Sequence, residues 1–312
     1  MQNLTAVLLM AHGAPESLDE VSPYLRNIMG RSPSKEVIDE IKERYRLAGG
    51  KSPLLEITQQ QATALEKSLN QNGKKFKVYI GMRHWHPFIH ETVKQITADQ
   101  PERLLALSLA PHYSKLSVGA YLQTLSEALS AADLDIPVHE VKSWAVEPAL
   151  IAAFKEHIQN ELAQYKDAMR HSLCLLFTAH SLPESVIKEG DPYPDEVRAT
   201  VSAIVERLDL KTPIIPWFFA YQSQGLRPGK WLGPSVEETL GNLGEAGCSH
   251  LLVAPIGFVS DHIEILYDVD IHFKGLAASQ GITLKRIPSL NSTPLFIKAL
   301  SNVIQSHLPE ST

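Results

Sequence analysis

The sequence predicts an α/β protein of two similar halves, each a parallel sheet flanked by helices. Three observations carry this. Short apolar runs alternate with longer amphipathic stretches, the spacing of successive βαβ units. The order of segments repeats: residues 8–13 resemble 175–180, and residues 104–111 resemble 251–255. Residues 79–84 and 218–223 hold the equivalent intermediate places. Finally, 312 residues suit about two domains of roughly 150 residues each. The expected divisions are residues 1–150, 151–290, and a C-terminal helix within 291–312.

Each element follows from its pattern. Residues 4–11, 77–81, 104–110, 172–179, 214–220 and 251–255 read as buried strands, because they are short, apolar and bounded by turn residues. Residues 34–47, 54–69, 118–131 and 148–165 carry apolar side chains at helical spacing, as do 194–208, 234–246 and 294–308. The last of these is able to pack on either half.

Composition narrows the function. The chain is 44% apolar and 21% charged, enough for a packed core. A net charge of −6 argues against nucleic-acid binding, which needs a basic surface. The longest apolar run, residues 251–259, is too short for a transmembrane span, and no basic segment precedes the first apolar stretch. The two cysteines, Cys174 and Cys248, form no metal or iron–sulfur motif. A cytoplasmic monomer is expected. Neither a dinucleotide fingerprint nor a P-loop occurs, so no nucleotide cofactor is expected, and without GxSxG a hydrolase triad is not expected either.

Histidine carries the functional signal. In open parallel sheets, ligands bind beyond the carboxyl ends of the strands. Four predicted strand ends are followed by histidine: His12, His84, His112 and His180. One such residue is ordinarily a hydrogen-bonded core or loop histidine; four point to a site. The run after the last long strand adds Asp261, Glu264, Asp268 and His272, spaced three, four and four apart and so on one face of a helix. Ile263, Leu266 and Tyr267 fall on another face. An acidic face is usually just solvated, but like charges four apart do not support a helix, and Gly257 allows a sharp bend ahead of it. Imidazole with carboxylates suits a borderline divalent cation such as iron or zinc. Near the N-terminus, Arg31, Arg44, Tyr45, Arg46 and Ser52 surround a Gly49-Gly50 turn, a grouping fit either for an anion or for plain helix surface.

Several longer motifs then resemble one family. Thr178-Ala179-His180-Ser181-Leu182-Pro183 with Gly190-Asp191-Pro192-Tyr193-Pro194, and the run from Pro255-Ile256-Gly257-Phe258 through Asp261-His262-Ile263-Glu264 to Tyr267-Asp268, are similar to the two main motifs of ferrochelatases. Arg44-Tyr45 with Gly49-Gly50-Lys51-Ser52-Pro53-Leu54, Ala110-Pro111-His112-Tyr113-Ser114 and Trp231-Leu232-Gly233-Pro234 match as well, in order. The polar segment 17–33 and the lack of C-terminal cluster cysteines resemble the soluble coproporphyrin ferrochelatases of Gram-positive bacteria.

The resemblance implies two Rossmann-like halves with a porphyrin cleft between them. It implies insertion of Fe²⁺, a substrate rather than a resident cofactor, into coproporphyrin III. Protoporphyrin IX, or a non-catalytic heme or metal carrier on the same scaffold, are the alternatives. It places catalysis on His180, Glu264 and His84, metal binding on His180, Glu264 and Asp268, and porphyrin contacts on His12, Arg31, Arg44, Tyr45, Ser52 and Tyr121. Which of His180 and Glu264 is base and which is ligand stays open. Three positions depart from the relatives. His12 replaces a tyrosine that ligates product iron, Ile28-Met29 stands where a further arginine occurs, and His272 ends the acidic ridge in place of a carboxylate.

Overall fold

A computed structural model describes residues 4–72, 75–210, 214–225 and 229–308. Residues 1–3, part of the segment ahead of the first apolar stretch, lie outside them. The chain divides into two compact units, Met1–Ala149 with Asn291–Thr312, and Leu150–Leu290.

The first unit holds a sheet of β1 (Thr5–Ala11), β2 (Phe76–Met82), β3 (Arg103–Ser108) and β4 (Val138–Val141). Its order is β2-β1-β3-β4 and every pairing is parallel. The second holds β5 (Leu173–His180), β6 (Trp217–Gln222), β7 (His250–Ala254) and β8 (Thr283–Arg286), in the order β6-β5-β7-β8, again all parallel. The two orders are the same, so the sequence echo is a topological one: β1 corresponds to β5, β2 to β6, β3 to β7. Central strands are buried on both faces, as parallel strands covered by helices must be; Val7 to Met10, Leu175 to Phe177 and Leu251 to Ala254 expose nothing.

Helices fall close to where periodicity puts them. Leu54–Leu69 and Val118–Ala131 match at both ends. Lys35–Leu47 starts after Ser34, whose hydroxyl accepts from the Val37 N–H at 3.4 Å, the ordinary reason for serine at that place. Pro294–Ser306 buries Phe296, Leu300 and Ile304 and packs against Leu54–Leu69 in the first unit. Gln61 Nε2 donating to the Asn291 carbonyl at 2.8 Å fastens the approach. Two strands have no sequence signature: β4 and β8 are four residues long, lie at sheet edges and carry polar residues. The strand predicted over 214–220 starts three residues late, at Trp217, leaving Ile214 exposed.

His112, after β3, is almost wholly buried, and burial pushes its pKa down to about 3. In the unfolded chain it titrates near 6.5. Between those values the unfolded state takes up a proton that the folded state refuses, so stability falls as pH drops through that window. Urea midpoints are expected to decrease from pH 7.5 to pH 5, with a shallower decrease in His112→Gln. Equal slopes for the two proteins would contradict this.

Candidate functional site

In both sheets the chain leaves the first strand for one side and returns on the other, so a crevice opens between β1 and β3 and between β5 and β7. In the second unit this switch point carries most of the chemistry. His180 closes β5 and is the first residue of that strand to reach half-exposure. Its backbone carbonyl accepts from the Tyr193 hydroxyl at 3.0 Å, and Tyr193 N–H donates to Asp191 Oδ1 at 3.1 Å. The Gly190 to Pro194 motif is thus a brace under His180 that also starts the helix Tyr193–Val205. Ser181 Oγ donates to the Leu232 carbonyl at 2.8 Å, which gives the Trp231–Pro234 motif a similar supporting place.

The segment after β7 is brought to His180 by close backbone packing. Gly257 N–H donates to the Thr178 carbonyl at 3.2 Å. A Cβ on Gly257 would lie 2.7 Å from Ala179 Cα and 2.8 Å from its Cβ. The bend expected of Gly257 is therefore not the reason for glycine: its φ lies outside the left-handed range, and the requirement is the missing side chain.

The result is a carboxylate between two imidazoles. Glu264 Oε2 lies 3.8 Å from His180 Nε2 and 3.7 Å from His262 Nε2. His180 Nδ1 faces the Ser181 carbonyl at 2.5 Å and His262 Nδ1 the Ser260 carbonyl at 3.0 Å. A carbonyl only accepts, so both rings carry hydrogen at Nδ1 and turn Nε2 to Glu264. Burial opposes charge on His262, but the Glu264 carboxylate, the Ser260 carbonyl and the Asp268 charge together raise its pKa above the usual value. The Glu264 carboxylate thus favours the charged form of His262. His262 was assigned no role from sequence. Its signal was a histidine two residues before the key acid, a spacing that helical periodicity does not pick out.

Glu264–Phe273 is wound as a π-helix. Its turn closes on i+5 and holds about four residues, so residues four apart lie nearly in line along the axis. Ile265, Val269 and Phe273 form the buried row. This corrects the expected apolar face of Ile263, Leu266 and Tyr267, all only half-buried. Glu264, Asp268 and His272 form the neighbouring row, and each meets a different element. Asp268 Oδ2 accepts from Ser223 Oγ at 2.5 Å, and His272 Nε2 lies 3.7 Å from Glu237 Oε1. Asp261, expected on the same face, lies ahead of the helix and is bonded to Arg286. Among the described residues no three His, Cys, Asp or Glu side chains are preassembled to hold a metal. Of the expected ligands, His180 and Glu264 meet, while Asp268 stands one step along the row.

In the first unit, His12 and His84 follow β1 and β2 and come together with ring centroids 4.6 Å apart. His84 N–H donates to the His12 carbonyl at 2.9 Å. Burial, then the neighbouring His12 and Arg83, push the His84 pKa down to about 3, so His84 stays neutral and is no acid at physiological pH. His12 is exposed, with Tyr24 edge-on at 6.2 Å. Arg31 is exposed, and Arg44 is half-exposed with Glu40 at 2.6 Å. Tyr45, Ser52 and Tyr121 are buried. The Ser52 hydroxyl accepts from Leu54 N–H at 3.3 Å, and the Tyr121 ring lies 5.9 Å from the Arg83 guanidinium.

Comparison with known proteins decides what this arrangement belongs to. The family pattern described as Ferrochelatase matches residues 4–308. The chain belongs to the ferrochelatase family. A ferrochelatase of Herpetosiphon aurantiacus is 41% identical over 306 residues, covering 97% of this chain and 99% of that protein. A coproporphyrin III ferrochelatase of Oceanobacillus iheyensis is 39% identical over 302 residues, covering 96% and 95%. SirB from Bacillus subtilis, solved with Fe³⁺, shares the fold at 11% identity with a TM-score of 0.60, covering 97% of this chain and 95% of that chain. Iron insertion into a porphyrin, part of heme biosynthesis, is the activity, with the metal as substrate. Among the described residues no helix is long and apolar enough to cross a membrane.

In the second unit of this ferrochelatase, His180 and Glu264 meet as half-exposed side chains. The contact of Gly257 with Ala179 backbone sets that geometry. Gly257→Ala is expected to cost about 1–3 kcal/mol of stability, as overpacking does. It should also lower iron insertion at temperatures where the variant remains folded. Normal turnover together with normal stability would show that the contact is slack.

Proposed function

We propose that the porphyrin is coproporphyrin III and that His180 and Glu264, backed by His262, carry metal insertion in the cytoplasm. The observation that supports this most is the carboxylate held between two imidazoles at the β5/β7 switch point. Insertion requires two pyrrole N–H protons to leave as Fe²⁺ loses water. With Nδ1 committed to Ser181, His180 offers one lone pair, at Nε2, to a proton or to iron. Glu264 supplies negative charge beside it. That carboxylate also favours the charged form of its second neighbour, His262. Asp268 and then His272 extend the row outward, giving an incoming cation successive partners. The buried thiols of Cys174 and Cys248, both free, suit a reducing compartment.

The first unit supplies what holds the porphyrin carboxylates. In this reading Arg31 and Arg44 provide charge and His12 an exposed imidazole. Tyr45, Ser52 and Tyr121 are buried and shape the ground beneath them. His84, held neutral, sets the place of His12. Coproporphyrin III has four propionates against two in protoporphyrin IX, and each charge-assisted hydrogen bond is worth about 1.5–3 kcal/mol. One further contact therefore gives about tenfold preference.

His180→Ala and Glu264→Gln should each lower turnover by orders of magnitude while porphyrin binding, followed by fluorescence quenching, persists. Near-normal turnover in either variant would remove that residue from the mechanism. Anaerobic assays with Fe²⁺ should give a higher kcat/KM for coproporphyrin III than for protoporphyrin IX. The reverse ranking would assign the protein to protoporphyrin, and product that never exceeds one equivalent would make it a carrier.

A further inference from the structure

Arg286 closes β8, on the far side of β7 from His180, and has no part in the chemistry described so far. Its guanidinium is only 14% exposed and every nitrogen is engaged. Nε and Nη2 donate to the two oxygens of Asp270 at 2.8 and 3.0 Å, a bidentate pair. Nη2 also lies 3.0 Å from Asp261 Oδ1, and Nη1 donates to the Ile287 carbonyl at 3.1 Å. Asp261 is held from a second side by Ser289 Oγ at 2.8 Å. The backbone beneath is fixed as well, with Ile287 N–H donating to the Val253 carbonyl of β7 at 2.9 Å.

The two carboxylates lie at telling places in the chain. Asp261 immediately precedes His262, and Asp270 lies within the π-helix, two residues beyond Asp268. One cation therefore grips both ends of the stretch that carries His262, Glu264 and Asp268. π-Helices are rare and usually confined to single turns inserted in α-helices, whereas this one runs for ten residues. A wide helix of this kind needs fixed points outside its own backbone ladder. The rigid sheet edge supplies one through Arg286, and the low exposure of the guanidinium protects the pairing from solvent.

We propose that Arg286 is a positioning residue for metal insertion: by tying Asp261 and Asp270 to β8 it holds the π-wound segment in the register that sets Glu264 between His262 and His180. The idea rests on the assignment of insertion to His180 and Glu264. Lysine keeps the charge but not the planar fork that spans two carboxylates, so it is a poor replacement. Misplacing a reacting group by about 1 Å costs up to a hundredfold in rate.

The test compares Arg286→Gln, Arg286→Lys and Asp270→Asn with the full-length wild type in steady-state assays, varying Fe²⁺ and porphyrin separately. A thermal melt of each variant fixes an assay temperature well below its transition. The expected result is a KM for Fe²⁺ raised about tenfold or more and a reduced kcat, with the KM for porphyrin unchanged. Arg286→Lys should not restore the values. The double variant Arg286→Gln/Asp270→Asn should be no worse than Arg286→Gln, since the two residues act as one unit. Lower melting temperatures with unchanged kinetic constants would make the clamp merely structural and overturn the proposal, as would equal effects on both KM values. If Arg286→Gln does not fold, Asp270→Asn, which leaves the arginine paired with Asp261, decides in the same way. Glu264→Gln run alongside separates the two ideas. If it is inactive while Asp270→Asn is normal, only the clamp fails; if it is active, the assignment beneath the clamp fails.

Discussion

The site depends on one contact between backbones. β5 runs three residues past the end of its parallel neighbour β7, and the chain leaving β7 presses against those last residues of β5 so closely that no side chain fits at Gly257. Everything that follows inherits that placement. His180 is fixed by its strand, and Gly257 is fixed by its seat on Thr178 and Ala179, with Glu264 only seven residues further on, so the imidazole and the carboxylate meet without any long connection. Rigid elements supply the precision, and the half-exposed side chains at their ends supply the reactivity.

Electrostatics then gives the meeting its character. A glutamate between two imidazoles has a direction: burial opposes charge on His262, but Glu264, Ser260 and Asp268 outweigh it and raise its pKa, whereas His180 turns Nε2 to the carboxylate with Nδ1 held at the Ser181 carbonyl. The carboxylate thus has an imidazole on either side, the more exposed one being His180. The first unit shows the opposite strategy with the same residue type. His84 is stripped of charge by burial and serves as a fixed neutral surface for His12.

Much of this was legible in the residues. Apolar runs marked the six long strands, the repeated order of segments anticipated two sheets of the same topology, and two of the strand-end histidines, His12 and His84, do come together. What escaped notice did so for physical reasons. β4 and β8 bury too little to show an apolar pattern. The π-winding of 264–273 results from tertiary packing, so a pattern read at α-helical pitch placed Asp261 in a row it does not join and chose the wrong apolar residues. His262 lay in plain view inside a motif, but its role depends on the distance to Glu264, which sequence spacing does not reveal. Tyr45 and Tyr121 look like surface donors by type, and only packing shows that their rings belong to the interior.

The division of the chain also bears on how the protein is made. The helix Pro294–Ser306 is a constituent of the first unit, yet all of the second unit precedes it in the sequence. On the ribosome, the apolar side of Leu54–Leu69 that this helix covers must wait uncovered while some 140 residues of the second unit are synthesised, a time of seconds at about 5–20 residues per second. The second unit, continuous from Leu150 to Leu290, is under no such delay and can complete its core as soon as β8 emerges. The part of the protein translated first is therefore finished last.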